Sequence, residues 1–559
     1  MNAVLQPDGR FVKNGITLLS GVDPVGRAEK TVNSLVVKEK TLFLCLSPLF
    51  GYGLSCLVSR LETEAPGSAV LCIEADSELF EFSKKNIKPS LLDNNLVRLT
   101  NICDGENLYS FICYTWGQMA FRRIEVIKLT GGWQLFTDVY DLLGNYIRRR
   151  IATDWSNVLT LTKLGRLYIR NTLRNLAVLS EFNPQQVFSI DELSFGSDPV
   201  LVLGAGPSLD ETLDILCRFF PPLEKKPFKI VCVDTCIYAL KERDIIPDLI
   251  FILESQHWNL RDFIGCKDWN VNIAIDISSL PASAGLLSGN KYIFMTPWTE
   301  LKIFKRLKEA NLLPVSIAPL GSVGLTAVES ARRLTNGKII CAGLDFSFTD
   351  SKYHARSTPG HKSKLNLQNR FKSILNTIAY ESYSITDVSK SGLSVKTSAV
   401  MRGYRDLFEQ EFSGDCRIFD IEGSGLPLGI KTLSMEEAIN LLKLDKEEIT
   451  QRHKGTEEEE QKKLTPCTPC LRVKNSELIK FYNIEIKLLI ELKKLLTGDD
   501  EMNNEKLTEL IEECDYLWAH FPDYSGGRKP NISDVSFLKR IRAEIDPMLK
   551  LLERVKKEI

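Results

Sequence analysis

The chain lacks any apolar run approaching eighteen residues, the length a helix needs to cross a bilayer, and its opening MNAVLQPDGRFVKNG carries no charged-then-apolar leader. A membrane span or a secretion signal is therefore not expected. It also lacks charge of one dominant sign: 71 Lys and Arg stand against 72 Asp and Glu. That balance excludes the strong positive field of a protein working on nucleic acid or on a membrane surface. Histidine is scarce, with five residues, so each is a conspicuous candidate for acid–base work near neutrality. The fourteen cysteines lack a repeated spacing, and Cys45, Cys72, Cys232 and Cys341 sit inside apolar stretches. They read as buried thiols of a reducing compartment, and a cytoplasmic location is expected. Cys467 and Cys470 form a C-x-x-C without a second pair, so neither a zinc site nor a redox pair is expected. No strict D-x-D pair ends a strand; Glu74 with Asp76 and Asp191 with Glu192 come nearest, and no metal site is assigned.

At 559 residues the chain exceeds one ordinary hydrophobic core, and its periodicities divide it. Residues 1–130 read as an N-terminal α/β Rossmann-like domain: a strand Leu42 to Leu46, a Gly51-Tyr52-Gly53 turn, a helix through Leu57 and Leu61, and a strand Val70 to Ile73 ending at Glu74 and Asp76. A glycine loop followed about twenty residues later by an acidic residue resembles the entry to a nucleotide or methyl-donor site. Pro48 and Phe50 crowd that loop, so a scaffold without a cofactor fits equally. Residues 131–195 turn helical and basic-aromatic and read as a connector. Residues 196–440 alternate strand and helix, which predicts a central, mainly parallel Rossmann-like sheet covered on both faces. Residues 441–473 are a charge run and read as a linker. Residues 474–559 carry an apolar stripe, Leu478, Phe481, Ile484, Leu488 and Leu492, and read as a C-terminal helical bundle suited to recognition or assembly.

The most informative motif is VLVLGAGPSLDET. An apolar strand, Val200 to Leu203, runs into Gly204, Ala205, Gly206, Pro207 and Ser208, and then into a helix from about Asp210 to Phe219. A strand feeding a glycine turn and a helix start presents backbone N–H groups and the positive end of the helix dipole to an anion. The Lys-Ser/Thr pair of a Walker loop is missing, and Leu209 stands where a dinucleotide motif places its third glycine. A tight turn without a ligand is the plain alternative. In a parallel sheet, ligands sit beyond the strand C-termini. The predicted strand ends deliver Gly204 to Ser208, Asp234 with Thr235, Glu254, Asp276 with Ser278, Thr296, and Asp345 to one rim. Any one of these is as readily a cap or turn former as a ligand; the arrangement carries the information.

Four segments together carry a family likeness: Gly206-Pro207-Ser208-Leu209, Ile246-Pro247-Asp248 leading to Glu254, Gly321-Ser322-Val323-Gly324, and Gly343-Leu344-Asp345 followed by His354-Ala355. On these the chain resembles the motility-associated factor (Maf) family of flagellin glycosyltransferases, whose central domain is similar to bacterial sialyltransferases. SITDVSKSGLSVKTSAVMRGYRDLFEQEF and FDIEGSGLPLGI extend the likeness, which spans roughly residues 20 to 435. Two departures are visible: the first-domain loop has fewer glycines than the family pattern, and Glu254 stands where aspartate is usual.

The resemblance implies transfer of a nonulosonic acid, a sialic-acid-like sugar, from its CMP-activated form to Ser or Thr of flagellin. Flagellin and the CMP-nonulosonic acid are the implied partners, the CMP-sugar is a co-substrate, and no cofactor is implied. Donor binding falls to Gly204, Gly206, Pro207 and Ser208, to Gly321, Ser322 and Gly324, and to Asp234, Thr235, Glu254 and Asp345. A general base with a pKa near neutrality points to His354, with His361 second and His257 a third position near the rim; His453 and His520 read as structural. A 6-hydroxymethylpterin pyrophosphokinase also carries a GPSL turn and an IPD step, but there the following strand should end in an aspartate-rich magnesium site, where LIFILESQHW offers Glu254 alone. A non-catalytic flagellin-binding scaffold is the third reading, and it predicts no nucleotide binding.

Overall fold

Strands form where the apolar runs are continuous, because a parallel strand buried on both faces has no polar side to alternate with. The computed structural model describes residues 4–7, 9–117, 119–220, 226–349, 352–371, 373–374, 384–443, 475–497, 504–524 and 530–559. The chain divides into two compact units, residues 1–164 with 518–530 and residues 165–517 with 531–559.

In the first unit, four parallel strands lie in the order Val97–Thr100, Ala69–Ile73, Thr41–Leu46, Arg123–Ile127. The two inner strands are buried along their whole length. Asp76 and Asp104 cap the helices Ser77–Asn86 and Gly105–Trp116, each carboxylate accepting first-turn N–H groups. A three-stranded antiparallel sheet, Val4–Leu5, Phe11–Lys13 and Ile16–Leu19, precedes them. Its strands are too short to leave a periodic signal.

The second unit is built on a nine-stranded sheet in the order Lys431–Leu433, Ile418–Ile421, Ile339–Ala342, Val200–Leu203, Lys229–Val233, Leu249–Ile252, Ile273–Asp276, Lys291–Phe294, Val187–Ser189, with all neighbours parallel. The strand Val200–Leu203 stands at its expected bounds, and the strands after it end near the expected strand-end residues; the two strands at one edge and the one at the other were not expected. Helices cover both faces. Leu209, Leu213, Ile237 and Leu240 pack on one, and Leu325, Val328, Phe408 and Phe412 on the other. After the edge strand Val187–Ser189, the chain enters the middle at Val200–Leu203, runs outward through four strands, then returns to the opposite flank at Ile339–Ala342. That reversal is the topological switch point, and it places a crevice beyond the C-terminal ends of these two strands.

The long helix Thr137–Glu181 contributes its C-terminal part, from residue 165 on, to the second unit. One turn apart on it, Asn171 and Asn175 hold the rim. Asn171 Nδ2 donates to the carbonyls of Ser255 and Ser278 (3.0 and 3.1 Å), and Asn175 Nδ2 to those of Ile277 and Ser279 (2.8 Å each).

The C-terminal helices are Asn475–Thr497, Asn504–Glu513 and Val535–Lys557. The buried side of the first differs from the expected stripe: Ile484 is exposed and Leu488 half-buried, whereas Tyr482, Glu485 and Leu489 are buried with Leu478, Phe481 and Leu492. The cause is a buried charge. Arg306, on the helix Lys302–Glu309, donates to both oxygens of Glu485 (2.6 and 3.0 Å) and to Glu513 (2.7 Å), which lets a carboxylate stand where apolar spacing called for isoleucine. Tyr482 donates its hydroxyl to the Leu173 carbonyl (2.6 Å). No helix among the described residues is long and apolar enough to cross a membrane. The predicted linker with Cys467, Cys470 and His453 falls almost entirely outside the described residues.

Candidate active site at the switch point

The two strand-end turns of the crevice touch through their backbones. Gly204 N–H donates to the Ala342 carbonyl and Gly206 N–H to the Gly343 carbonyl (2.8 Å each). A Cβ on Gly204 would stand 2.5 Å from the Gly343 carbonyl oxygen, and one on Gly206 would stand 2.4 Å from an Asp345 carboxylate oxygen. Close packing of turn on turn is thus what these glycines serve. Asp345 is buried and accepts from Ser208 N–H (2.8 Å) and Ser208 Oγ (2.7 Å). The position at the start of helix Leu209–Phe219 that the sequence assigned to a donor phosphate is therefore taken by the protein's own carboxylate. Pro207, buried in the same turn, has no N–H to offer.

One histidine is docked onto this turn and a second follows it on the next helix. Ala355 N–H donates to the Ala205 carbonyl (3.0 Å), and the His354 ring bonds to the Ala205 backbone. Arg356 N–H and Ser357 Oγ both donate to Asp210. Thr358 then caps the helix Pro359–Leu367, which brings in His361. His354 is half-buried, and its pKa is pushed down to about 4 by burial, with the positive charges of Lys364 and Arg261 and the His361 ring adding to it. His361 is buried and shifts down as well, by burial and then by Arg356 and Lys352.

The remaining strand-end acids divide into buried and exposed. Asp276 accepts from the N–H and Oγ of both Ser278 and Thr296 and holds two loops together. Asp234 accepts from Thr235 N–H (2.9 Å) and Asn259 Nδ2 (2.6 Å), with Ser283 Oγ donating to Asn259 in turn (3.1 Å). The Thr235 hydroxyl stands between Asp234 and Asp262, 3.4 and 3.5 Å from their oxygens. Glu254 is the exposed member and accepts from Gln256 N–H (2.9 Å). Burial and the charge of Asp262 push Asp234 up to about 7. A carboxyl raised on folding stabilises fully below its unfolded pKa of about 3.8, and that contribution is lost as pH rises through about 7. Urea unfolding is therefore expected to show a wild-type midpoint that falls from about pH 5 to about pH 8, and Asp234→Asn should flatten that dependence. An unchanged slope in the variant would move the titration to another group.

The second predicted turn faces the crevice differently. Gly321 has φ of 69° and opens the helix Val323–Leu334, whose N-cap Ser322 makes no side-chain capping bond. The first N–H groups of this helix have no acceptor within it. The Leu344 side chain lies between the two turns, since a Cβ on either Gly204 or Gly324 would meet its Cδ2 at 2.5 and 2.7 Å. The ring of Tyr404 lies next to Gly321. Tyr168 stacks at a tilt on Trp298 (5.3 Å between ring centres), and burial, Glu254 and Asp276 push its hydroxyl up to about 12. His257 is exposed against the Trp258 ring (4.4 Å), and His520, assigned by the sequence to the C-terminal bundle, lies in a segment belonging to the first unit.

In the first unit the expected acids are occupied internally. Glu74 accepts from Ser47 Oγ (2.7 Å), Tyr140 OH (3.3 Å) and Asp76 N–H (3.4 Å), and burial pushes it up to about 7. Asp76 pairs with Lys13 (2.6 Å) besides capping its helix. Phe50 and Tyr52 stack on each other, and Phe50 meets Phe11 and Phe82 edge-on, which fills the space around the glycine loop with rings.

Residues 170–351 match the family described as 6-hydroxymethylpterin diphosphokinase MptE-like. Over 541 residues the chain is 30% identical to a Treponema pallidum (strain Nichols) protein described as "Uncharacterized protein", covering 94% of this chain and 90% of the relative. The chain belongs to that treponemal protein's family. The fold of this family member is similar to that of the Maf glycosyltransferase from Magnetospirillum magneticum AMB-1, with a TM-score of 0.50 and 13% identity over 100% of this chain and 92% of that one.

Several residues of this family member that shape the site had not been singled out from the sequence. Asn259, Arg261 and Asp262 follow Glu254 on a short 3-10 segment, His257–Phe263. Lys390 and Asp420 form a buried pair (2.7 Å) beside Asp345, whose charge adds to the burial that pushes Asp420 up to about 6. For Asn171 and Asn175 a signal existed: two asparagines at i, i+4, one turn apart on one side of a helical stretch. Nothing local marked Asp262 or Lys390, because each becomes buried only through contacts distant in sequence.

Proposed function

We propose that the chain is a glycosyltransferase that moves a nonulosonic, sialic-acid-like sugar from a CMP-activated donor to serine or threonine hydroxyls of flagellin in the cytoplasm. The observation that carries this reading is the meeting, around Leu344 at the switch point, of an uncapped helix start with a turn onto which His354 is docked. The donor phosphate lies at the first N–H groups of helix Val323–Leu334, beside Gly321, Ser322 and Gly324, where the helix dipole stabilises the leaving CMP. His354 accepts the proton of the acceptor hydroxyl as its oxygen bonds to the anomeric carbon, and the carbon–phosphate-oxygen bond breaks with its electron pair leaving on CMP. Glu254 and Thr235 orient the sugar. Asp345, with Ser208 and the Gly204–Pro207 turn, keeps the rim in shape.

The match of residues 170–351 to an MptE-like family favours a second reading, pterin pyrophosphoryl transfer. That chemistry calls for carboxylates gathered on a divalent ion. Among the described residues, no group of three or more His, Cys, Asp or Glu side chains is placed to hold one. One pair of assays separates the readings. Incubation with flagellin and a CMP-nonulosonate is expected to raise the flagellin mass by one sugar residue per site, and release of AMP from ATP and hydroxymethylpterin with magnesium, without such a mass gain, would reverse the assignment.

A further inference from the structure

Among the described residues, the side-chain charges that act on His354 are those of Lys364, Arg261 and His361. Arg261 reaches the start of the helix Pro359–Leu367, its guanidinium 3.4 Å from where a Gly360 Cβ would stand, with the His354 ring at the same spot. Lys364 lies over the Tyr353 ring (3.1 Å) and acts on His354. Arg356 and Lys352 act on His361. Two of the described acids in this region are engaged elsewhere: Asp210 by Arg243, Arg356 and Ser357, and Asp262 with Thr235. The ion pair of Arg261 with Asp262 is long, 3.7 Å, and the Arg261 side chain is 46% exposed. A planar guanidinium held that loosely can turn its fork to a carboxylate.

We propose that Arg261, with Lys364, receives a carboxylate of the donor sugar, a second anionic group beyond the phosphate at helix Val323–Leu334, so that the site selects sugar-acid nucleotides over neutral ones. The inference rests on the glycosyltransferase reading and adds the residue that sets donor class. It also bears on the histidine: burial lowers His354 most and the cations add to it, so a carboxylate placed among them offsets the added part and the donor itself shifts the base upward.

The test compares binding of CMP and of CMP-N-acetylneuraminic acid by calorimetry to the wild type, Arg261→Gln and Arg261→Lys. The wild type is expected to bind the carboxylate-bearing ligand about tenfold or more tighter than CMP, as a charge-assisted hydrogen bond allows, and Arg261→Gln should lose that margin with CMP affinity unchanged. Arg261→Lys should keep part of it. A 13C-labelled His354 ring followed by NMR should titrate at higher pH with CMP-N-acetylneuraminic acid bound, and not in Arg261→Gln. An undiminished margin in Arg261→Gln, or equal weakening of both ligands, overturns the inference and leaves the function standing. Failure of the wild type to bind either ligand overturns both.

Discussion

Gly206→Ala is expected to lower the stability of the second unit by about 3 kcal/mol or more and to abolish donor binding. The added methyl would stand 2.4 Å from an Asp345 carboxylate oxygen and 2.6 Å from the Gly343 carbonyl oxygen. Neither can move cheaply. The carbonyl belongs to the backbone contact with Gly206 N–H, and the carboxylate is held by two hydrogen bonds from Ser208. Displacing Asp345 leaves a buried carboxylate and a backbone N–H without partners, which adds a desolvation cost to the overpacking. Gly403→Ala is the matched control: Gly403 lies in the helix Ala399–Phe412 with open space around it, and alanine there should stabilise by about 0.5–1 kcal/mol. Denaturation midpoints that fall for the first variant and rise for the second are the expected pair. An unperturbed Gly206→Ala would mean that the two turns are not in contact.

His354→Ala is expected to leave donor affinity within a fewfold and to cut the transfer rate by about 10²–10⁴, the usual contribution of a positioned base. The pH profile carries the sharper test. An imidazole at about 4 is neutral over the physiological range, so kcat/KM, which reports the unliganded enzyme, should lack an acid limb from this group above about pH 5. The limb in kcat should lie higher, because bound donor brings negative charge to the ring. The stability linkage has its own sign. A histidine lowered on folding contributes stability above its unfolded value of about 6.5, and that contribution disappears as pH falls toward about 4. Near-wild-type transfer in His354→Ala would assign the base to another group, His361 being the next in place.

The contrast between these two variants reflects how the site is made. The strand Val200–Leu203, the glycine turn and the helix after it were legible because they are local: an apolar run, residues tolerant of tight turns, then an amphipathic period. The same holds for the strand-end order of Asp234, Glu254, Asp276 and Asp345. What each acid does was not legible. Asp276 and Asp345 each accept from loop groups, while Glu254 remains exposed, and a sequence offers no measure of which carboxylate will find donors at its own depth. The stripe on helix Asn475–Thr497 failed for a related reason, since Glu485 is buried only because Arg306 arrives from a helix far away in sequence.

Periodicity and turn chemistry were enough to specify a parallel α/β sheet, its switch-point turn and a helical C-terminal region, because these depend on neighbours within a few residues along the chain. The engagement of the Ser208 N–H and hydroxyl, just ahead of helix Leu209–Phe219, by Asp345, and the crowding of Arg261 and Lys364 about His354, came only with folding. Those outcomes turn on desolvation and on charges brought together across the chain, and both are set by which distant groups share a place in space.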